Sequence, residues 1–399
     1  MPQRPMPMPE FIALLAMLFA IVAFSIDGML PALPRIAAEL TPGDVNRAQL
    51  IVTAFVFGMG LGTLMAGPIS DATGRKPAIL GGVFLYAIGA ALAAAAPSLE
   101  VLLAARALQG LGAAGPRVVT LAMVRDLHAG RQMARIVSFA MMIFTLVPAI
   151  APSLGTIIIA GFGWRGIFGA VIVFAFAAST WLTLRQPETL PYSKRRPLRL
   201  APLRDAFAEV MSHRAVVTAT LVQTLVYGAL FGTLASTQQI FAATYHRGAS
   251  FPAWFAVIAL TSGGASLLNA TLVLRLGMRH LVLLALGTQV LVSAALTLAL
   301  AQGLLPDALA FPAYLIWTTG VFVMTSLTIG NLNALALEPL GHIAGTAASL
   351  NGCIATVISV LIAAPIGLAF DGTPVPLMAA TATLAGLGFL LMKTLPRQF

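Results

Sequence analysis

Apolar residues come in long unbroken runs along this chain, and polar residues in short bursts between them. The runs fall near 11–33, 48–70, 77–96, 99–124, 134–160, 165–184, 215–243, 252–274, 280–302, 308–334, 343–369 and 375–394. Each is long enough to carry a helix across a hydrocarbon core of about 30 Å. None alternates with period two, so barrel strands are excluded, and helices satisfy their own backbone in lipid. The pattern predicts an all-α polytopic membrane protein of twelve transmembrane helices. Its longest polar stretch, RQPETLPYSKRRPLRLAPLRDAFAEVMSHR from Arg185 to Arg214, lies midway. The expected organisation is a six-helix bundle at 1–184, a basic cytoplasmic linker at 185–214 and a second six-helix bundle at 215–399. Within the linker, DAFAEVM reads as a short surface helix.

Composition sharpens this picture. Hydrophobic residues make up 59% of the 399 and charged residues only 9%, against about 25% charged in soluble domains. The net charge of +10 is an orientation signal. With the N-terminus inside, seventeen Lys and Arg fall on inner segments and four (Arg35, Arg47, Arg165, Arg247) on outer ones. That asymmetry predicts cytoplasmic N- and C-termini and removes the nucleic-acid reading. A single cysteine, Cys353, leaves no intramolecular disulfide, and none of the five histidines pairs at metal-ligand spacing. The first apolar run lacks a small-x-small cleavage pattern and reads as a retained helix. There is no GxxxxGK[ST] loop for a nucleotide and no nucleophile–base constellation, so neither a cofactor nor enzymatic chemistry is expected.

The two halves carry a faint repeat. GPISDATGRK from Gly67 follows the second run, and ATLVLRLGMR from Ala270 follows the eighth; Gly74 aligns with Gly277 and Lys76 with Arg279. Duplicated halves are a recurrent transporter design. In the first copy a chain reversal calls for the φ > 0 freedom of Gly74 and close helix approach at Gly67. Asp71 is placed to accept from a neighbouring helix N-terminus, and Arg75 to pair with Asp126 at the end of the fourth run.

Gly67-Pro-Ile-Ser-Asp71-Ala-Thr-Gly74-Arg75-Lys76 resembles the signature loop of the major facilitator superfamily, with Ala72 where the family carries a first arginine. RALQGLGAAGPR, from Arg106, resembles that superfamily's fourth-helix motif. PAIAPSLGT, Pro148 to Thr156, resembles its antiporter motif as found in the Bcr/CflA drug-resistance branch. There Pro148 and Pro152 each remove a helix hydrogen bond, and Gly155 is expected to permit close packing across the interface between the halves. DGMLPALP from Asp27, GWRGIF from Gly163 and the run from Asn331 fit the same branch, so the resemblance covers both halves. It implies a drug:proton antiporter of a bacterial inner membrane, working as a monomer by alternating access. Its partners would be protons, the lipid bilayer and small amphipathic compounds of the chloramphenicol or bicyclomycin kind. A proton-linked metabolite carrier on the same fold, and a membrane receptor or assembly factor without a transport cycle, remain open beside it.

Asp27 is the candidate that the chemistry singles out. It is the only acid in the middle of a run, where an ionised carboxylate costs about 2.5–3.5 kcal/mol on insertion scales unless paired, protonated or wet. It lies about 24 Å from the inner end of its helix, and Arg106 about 10 Å from the outer end of the fourth, at comparable depth. Two roles stay open: proton coupling by Asp27 and Arg106, or a structural ion pair between spans one and four. Arg117 shares the face of Arg106, where it lines the cavity or snorkels to the inner surface. Gln109, Phe144, Gln223, Tyr227, Gln238 and Asn351 are further candidates for a substrate cavity, with Phe55 and Phe231 as aromatic walls.

Overall fold

A computed structural model describes residues 6–198 and 201–395; the side chains of Arg131, Ala134, Phe144, Thr145 and residues 201–203 lie outside the described set. Everything regular among the described residues is helical. In chain order the helices are α1 (Met8–Asp27), α2 (Leu33–Leu40), α3 (Leu50–Thr73), α4 (Arg75–Ala94), α5 (Leu99–Leu127), α6 (Gly130–Phe162) and α7 (Arg165–Arg185). They continue with α8 (Ala201–Ser212), α9 (Arg214–Gln239), α10 (Phe251–Leu276), α11 (Met278–Ala301), α12 (Asp307–Leu337), α13 (Ala344–Leu368) and α14 (Val375–Lys393).

Eleven helical segments among the described residues are long and apolar enough to cross a bilayer. One of them, Asp307–Leu368, has 62 residues, about 93 Å of helix and three times the core. It contains α12 and α13, separated by a turn in which Leu340 leaves helical geometry next to Pro339. That segment crosses twice, and the total is twelve.

Two boundaries differ from the expected ones. The first span does not stop at 33 but runs from Met8 to Leu40 through a break. Pro34 is the second residue of α2, where an amide hydrogen would have no intrahelical partner, so the ring is tolerated. The helix of span five extends beyond its apolar run at both ends, from Gly130 to Phe162, and continues through Pro148 and Pro152. The DAFAEVM segment lies in α8, as expected of a short surface helix.

The chain folds as two compact units. One takes the residues up to Ile36 together with Ala54–Leu203; the other takes Ala37–Thr53 together with Arg204–Phe399. The division departs from the expected 1–184, 185–214 and 215–399 because hydrogen bonds redistribute two segments. Asn46 donates to the carbonyls of Leu368 (3.1 Å) and Phe370 (2.8 Å) at the end of α13. Gln49 donates to Gln239 and accepts from Ser236, and Gln239 donates back to Asn46. This chain of amide bonds ties the segment ahead of α3 to α9 and α13. The first stretch of the linker, in turn, is bonded to the α3–α4 turn, as described below.

In the first unit α3 and α5 meet backbone to backbone. A Cβ on Gly58 would strike the Ala107 carbonyl, and one on Gly110 the Phe55 carbonyl. In lipid, helix association depends on such close approach of small residues. The faint repeat reappears in geometry: Gly74 ends α3 with φ 109° and Gly277 ends α10 with φ 76°. Each following helix also sends a cation to the last turn of its unit's final span. Lys76 donates to the Thr183 carbonyl on α7 (3.1 Å), and Arg279 to the Lys393 carbonyl on α14 (3.3 Å).

Candidate functional site

Asp27 is the last residue of α1, and the reason is local. The Gly28 amide still bonds back to Phe24 (3.0 Å), but the chain then tightens into a short 3-10 turn, Leu30–Ala32, before α2 begins. The carboxyl therefore sits at a helix break inside the first span, and the residue is 5% exposed. Among the described residues no hydrogen bond or ion pair reaches it.

Arg106 is fully buried on α5. Its guanidinium donates to the Ser25 carbonyl (3.0 Å) and to Gln109 Oε1 (2.7 Å), and lies 4.4 Å from the centre of the Phe55 ring. Ser25 in turn shares a 2.5 Å hydroxyl contact with Tyr86 on α4. So Arg106 is held to α1 two residues before Asp27, without a described bond to the carboxylate. Helical residues advance by about 100° each, so positions 25 and 27 face nearly opposite sides. A carbonyl, an amide and an aromatic face together satisfy the charge of Arg106 where it stands.

The antiporter-like segment meets this break directly. Gly155 on α6 lies against the Gly28 carbonyl, so that a Cβ at 155 would collide with it. The expected packing across the halves is thereby corrected: the partner of Gly155 is the first span of its own unit. The cause is geometric, since only a glycine lets α6 approach the exposed carbonyls of a broken helix. Pro152 is buried close by, Pro148 is half-buried, and Arg35 in α2 donates to the Ile159 carbonyl of α6 (3.3 Å).

At the other end of the unit, Arg75 is the hub of a polar cluster. It donates through Nε to Asp126 Oδ2 (2.8 Å) and through Nη2 to Asp126 Oδ1 (3.3 Å), a two-pronged grip. Its Nη1 donates to Asp71 (2.5 Å) and to Ser70 (2.8 Å). The first amides of α4 do not go to Asp71 as expected. They go to Glu188 of the linker, Arg75 N at 2.9 Å and Lys76 N at 3.0 Å. Asp71 belongs to the last turn of α3 and is turned toward the guanidinium, which leaves the positive end of α4 for an acid delivered from the linker. Thr189 adds a bond to Asp126 (3.0 Å) and the Arg196 amide one to the Asp71 carbonyl (2.9 Å). Gly67 is half-buried in the last two turns of α3.

The cavity candidates separate into groups. Gln223 and Asn351 are brought together: the Asn351 amide donates to Gln223 (3.0 Å) and Asn333 (3.2 Å) and accepts from Thr220 (2.6 Å). Tyr227 stacks on Phe231 one turn further along α9. Gln238 is buried, and no described group meets its Oε1. Gln109 belongs to the Arg106 cluster, with its Nε2 unpartnered among the described residues. Arg117 donates to the Met59 sulfur of α3 (3.4 Å). Phe144 lies on α6, and its side chain is outside the described residues.

Sequence reasoning missed Glu188 and Thr189, Ser25 and Tyr86, Thr220 and Asn333. Glu188 did leave a signal: it is the only acid between Arg185 and Arg204, in a segment crowded with arginine and proline. The hydroxyl partners left none, because a serine or threonine inside a helix commonly bonds back to its own carbonyls.

Bundled apolar helices with a buried acid, a buried arginine and an ion cluster at the α3–α4 turn describe a membrane carrier. The sequence profile of the Major Facilitator Superfamily matches residues 14–364, and the chain belongs to that family. It is 29% identical over 393 residues to a bicyclomycin resistance protein homolog of Haemophilus influenzae, covering 96% of each chain. It is 28% identical to a chloramphenicol resistance protein of Pseudomonas aeruginosa over 85% of this chain and 79% of the relative. Among solved structures, the xylose transporter XylE of Escherichia coli superposes with a TM-score of 0.75 over 98% of both chains, at 11% identity. That last likeness speaks to the fold alone. The protein is thus a multi-pass transporter of the major facilitator fold, not an enzyme, with a small-molecule substrate.

Proposed function

We propose that this chain exports small amphipathic compounds of the bicyclomycin or chloramphenicol kind in exchange for protons, by alternating access. The cytoplasmic membrane of a bacterium is its proposed location, with both termini inside and the two bundles and basic linker as the working parts. The observation that carries the reading is Asp27: a buried carboxyl at a break in the first span, with no described partner to keep it ionised. Such an acid binds a proton when its surroundings are dry and releases it when water reaches it, as coupling requires. Arg106, on α5 but anchored to the Ser25 carbonyl two residues before Asp27, holds a fixed positive charge against α1 and is proposed to bias that release. The relatives named for resistance support export as the direction.

The membrane potential supplies about 2.3 kcal/mol per charge per 100 mV, enough with a pH gradient to concentrate a compound outside. In the second unit the substrate is proposed to meet the amide group of Gln223, Asn351 and Asn333, the stacked rings of Tyr227 and Phe231, and Gln238; in the first unit Gln109 and Arg117 are the proposed contacts.

The test is substrate-induced proton release from inside-out vesicles, comparing wild type with Asp27→Asn and screening neutral and cationic drugs. Exchange in wild type and binding without exchange in the variant is the expected result. Normal exchange in the variant removes Asp27 from the mechanism. Absence of proton movement in wild type with every transported compound removes the antiporter reading.

A further inference from the structure

The first unit carries an open groove. It lies between α4 and α7, has a volume of about 360 Å³, and is lined by Leu80, Val83 and Phe84 on one side and Phe176, Thr180 and Leu184 on the other. The large apolar side chains at its rim are open: Phe84 is 63% exposed and Leu184 67%. In the second unit the corresponding helices are α11 and α14, where side chains pack on glycines. There the Phe389 ring packs on Gly287 and Leu286 packs on Gly388. Its matching cation, Arg279, is buried beneath the end of α14.

One end of the open groove is charged. Lys76 stands one helical turn before Leu80, and its ammonium donates to the carbonyl of Thr183, a residue of the groove wall. No acidic side chain pairs with that ammonium among the described residues. The groove thus runs from an apolar slot to a half-buried cation with hydrogens to spare. That polarity matches an acyl chain followed by a negatively charged headgroup. On the orientation proposed above, the Lys76 end faces the cytoplasmic leaflet, where anionic lipids attract basic side chains.

We propose that the α4–α7 groove is a binding site for one anionic phospholipid, with an acyl chain between Phe84 and Phe176 and the headgroup phosphate on Lys76. The site sits beside the Arg75–Asp126–Glu188 cluster, since Lys76 gives its backbone amide to Glu188 and its ammonium to α7. A lipid held there touches the same turn that binds the linker.

Native mass spectrometry of the purified full-length protein, titrated with phosphatidylglycerol or phosphatidylcholine, tests it. Wild type should retain one phosphatidylglycerol about fivefold more tightly than phosphatidylcholine, the ratio one basic residue near an anionic headgroup provides. Thr180→Trp, which fills the slot, should lose the retained lipid of either kind. Lys76→Gln should keep a chain but bind both lipids equally. Leu291→Trp, on the exposed face of α11, should behave as wild type. Equal phosphatidylglycerol retention by wild type and Thr180→Trp overturns the proposal, as does a headgroup preference that survives Lys76→Gln. A dimer that Thr180→Trp dissolves would overturn it in favour of a second copy as occupant. None of these readings depends on proton exchange, so the lipid site and the antiporter reading fail separately.

Discussion

A single methyl group tests the arrangement around the acid. Gly155 lies on the Gly28 carbonyl, one residue beyond Asp27, and a Cβ there has nowhere to go but into α1. Gly155→Ala should therefore displace the break and cost about 1–3 kcal/mol of stability, the usual penalty for overpacking a tight interface. The proposed proton-coupled efflux should fall with it, while substrate binding at the proposed Asn351 group of the other unit stays within twofold of wild type (about 0.4 kcal/mol by the usual affinity arithmetic). The check is a thermal unfolding curve alongside ligand titration of purified protein. An alanine variant with wild-type stability would mean that α6 does not hold the break as described. Arg106 makes a companion case, because its charge is met by the Ser25 carbonyl, Gln109 and the Phe55 face. Lysine keeps the charge but cannot reach those partners with a planar fork. Arg106→Lys should consequently lose most exchange activity, measured as substrate-induced proton release, although net charge is preserved. Full activity in that variant would reduce the role of Arg106 to its charge alone.

At the scale of elements, the linker is a strap on the turn it follows. Glu188 accepts three backbone amides, from Arg75, Lys76 and Leu190, and so serves as the missing N-terminal cap of α4. Capping and dipole interactions of this kind contribute about 1–2 kcal/mol. Glu188→Gln keeps one acceptor and should lose less stability than Glu188→Ala. Both should make the linker more accessible to trypsin at Lys194 and Arg195, because the strap is what holds that segment against Asp71. Digestion rates on purified protein read this directly, and unchanged rates would exclude the strap. The motif loop itself was legible in sequence: the glycine at 74, the acid at 71 and the basic pair follow from a reversal between two helices on the positive side. The acid on the helix end was not, because Asp71 and Glu188 are equally plausible caps until the linker's path is known. Gly155 misled for a related reason: a small residue announces close approach but not the identity of what approaches.

For the whole molecule, twelve spans and their approximate limits follow from where the apolar runs lie. The runs do not encode how hydrogen bonds reassign segments. Residues 37–53 belong in sequence to the first half, yet Asn46 and Gln49 bond into the second unit through Ser236, Gln239 and the end of α13. Amides in a loop carry no periodicity, so nothing in the pattern foretold that chain of bonds. Orientation is the remaining property that charge alone argues, and it can be measured cleanly. Cys353 is the only cysteine and is buried, so it provides a quiet background for labelling. Tyr192, 84% exposed in the linker, and Leu304, 69% exposed between α11 and α12, lie on opposite sides if the positive-inside asymmetry holds. With a membrane-impermeant maleimide, Tyr192→Cys should react in inside-out vesicles and stay silent in intact cells. Leu304→Cys should do the reverse. The opposite pattern would place the linker, Lys76 and the Arg75 cluster outside. It would not reverse the proposed exchange, whose direction the proton gradient sets, but it would put the Asp27 end of the first span nearer the cytoplasm.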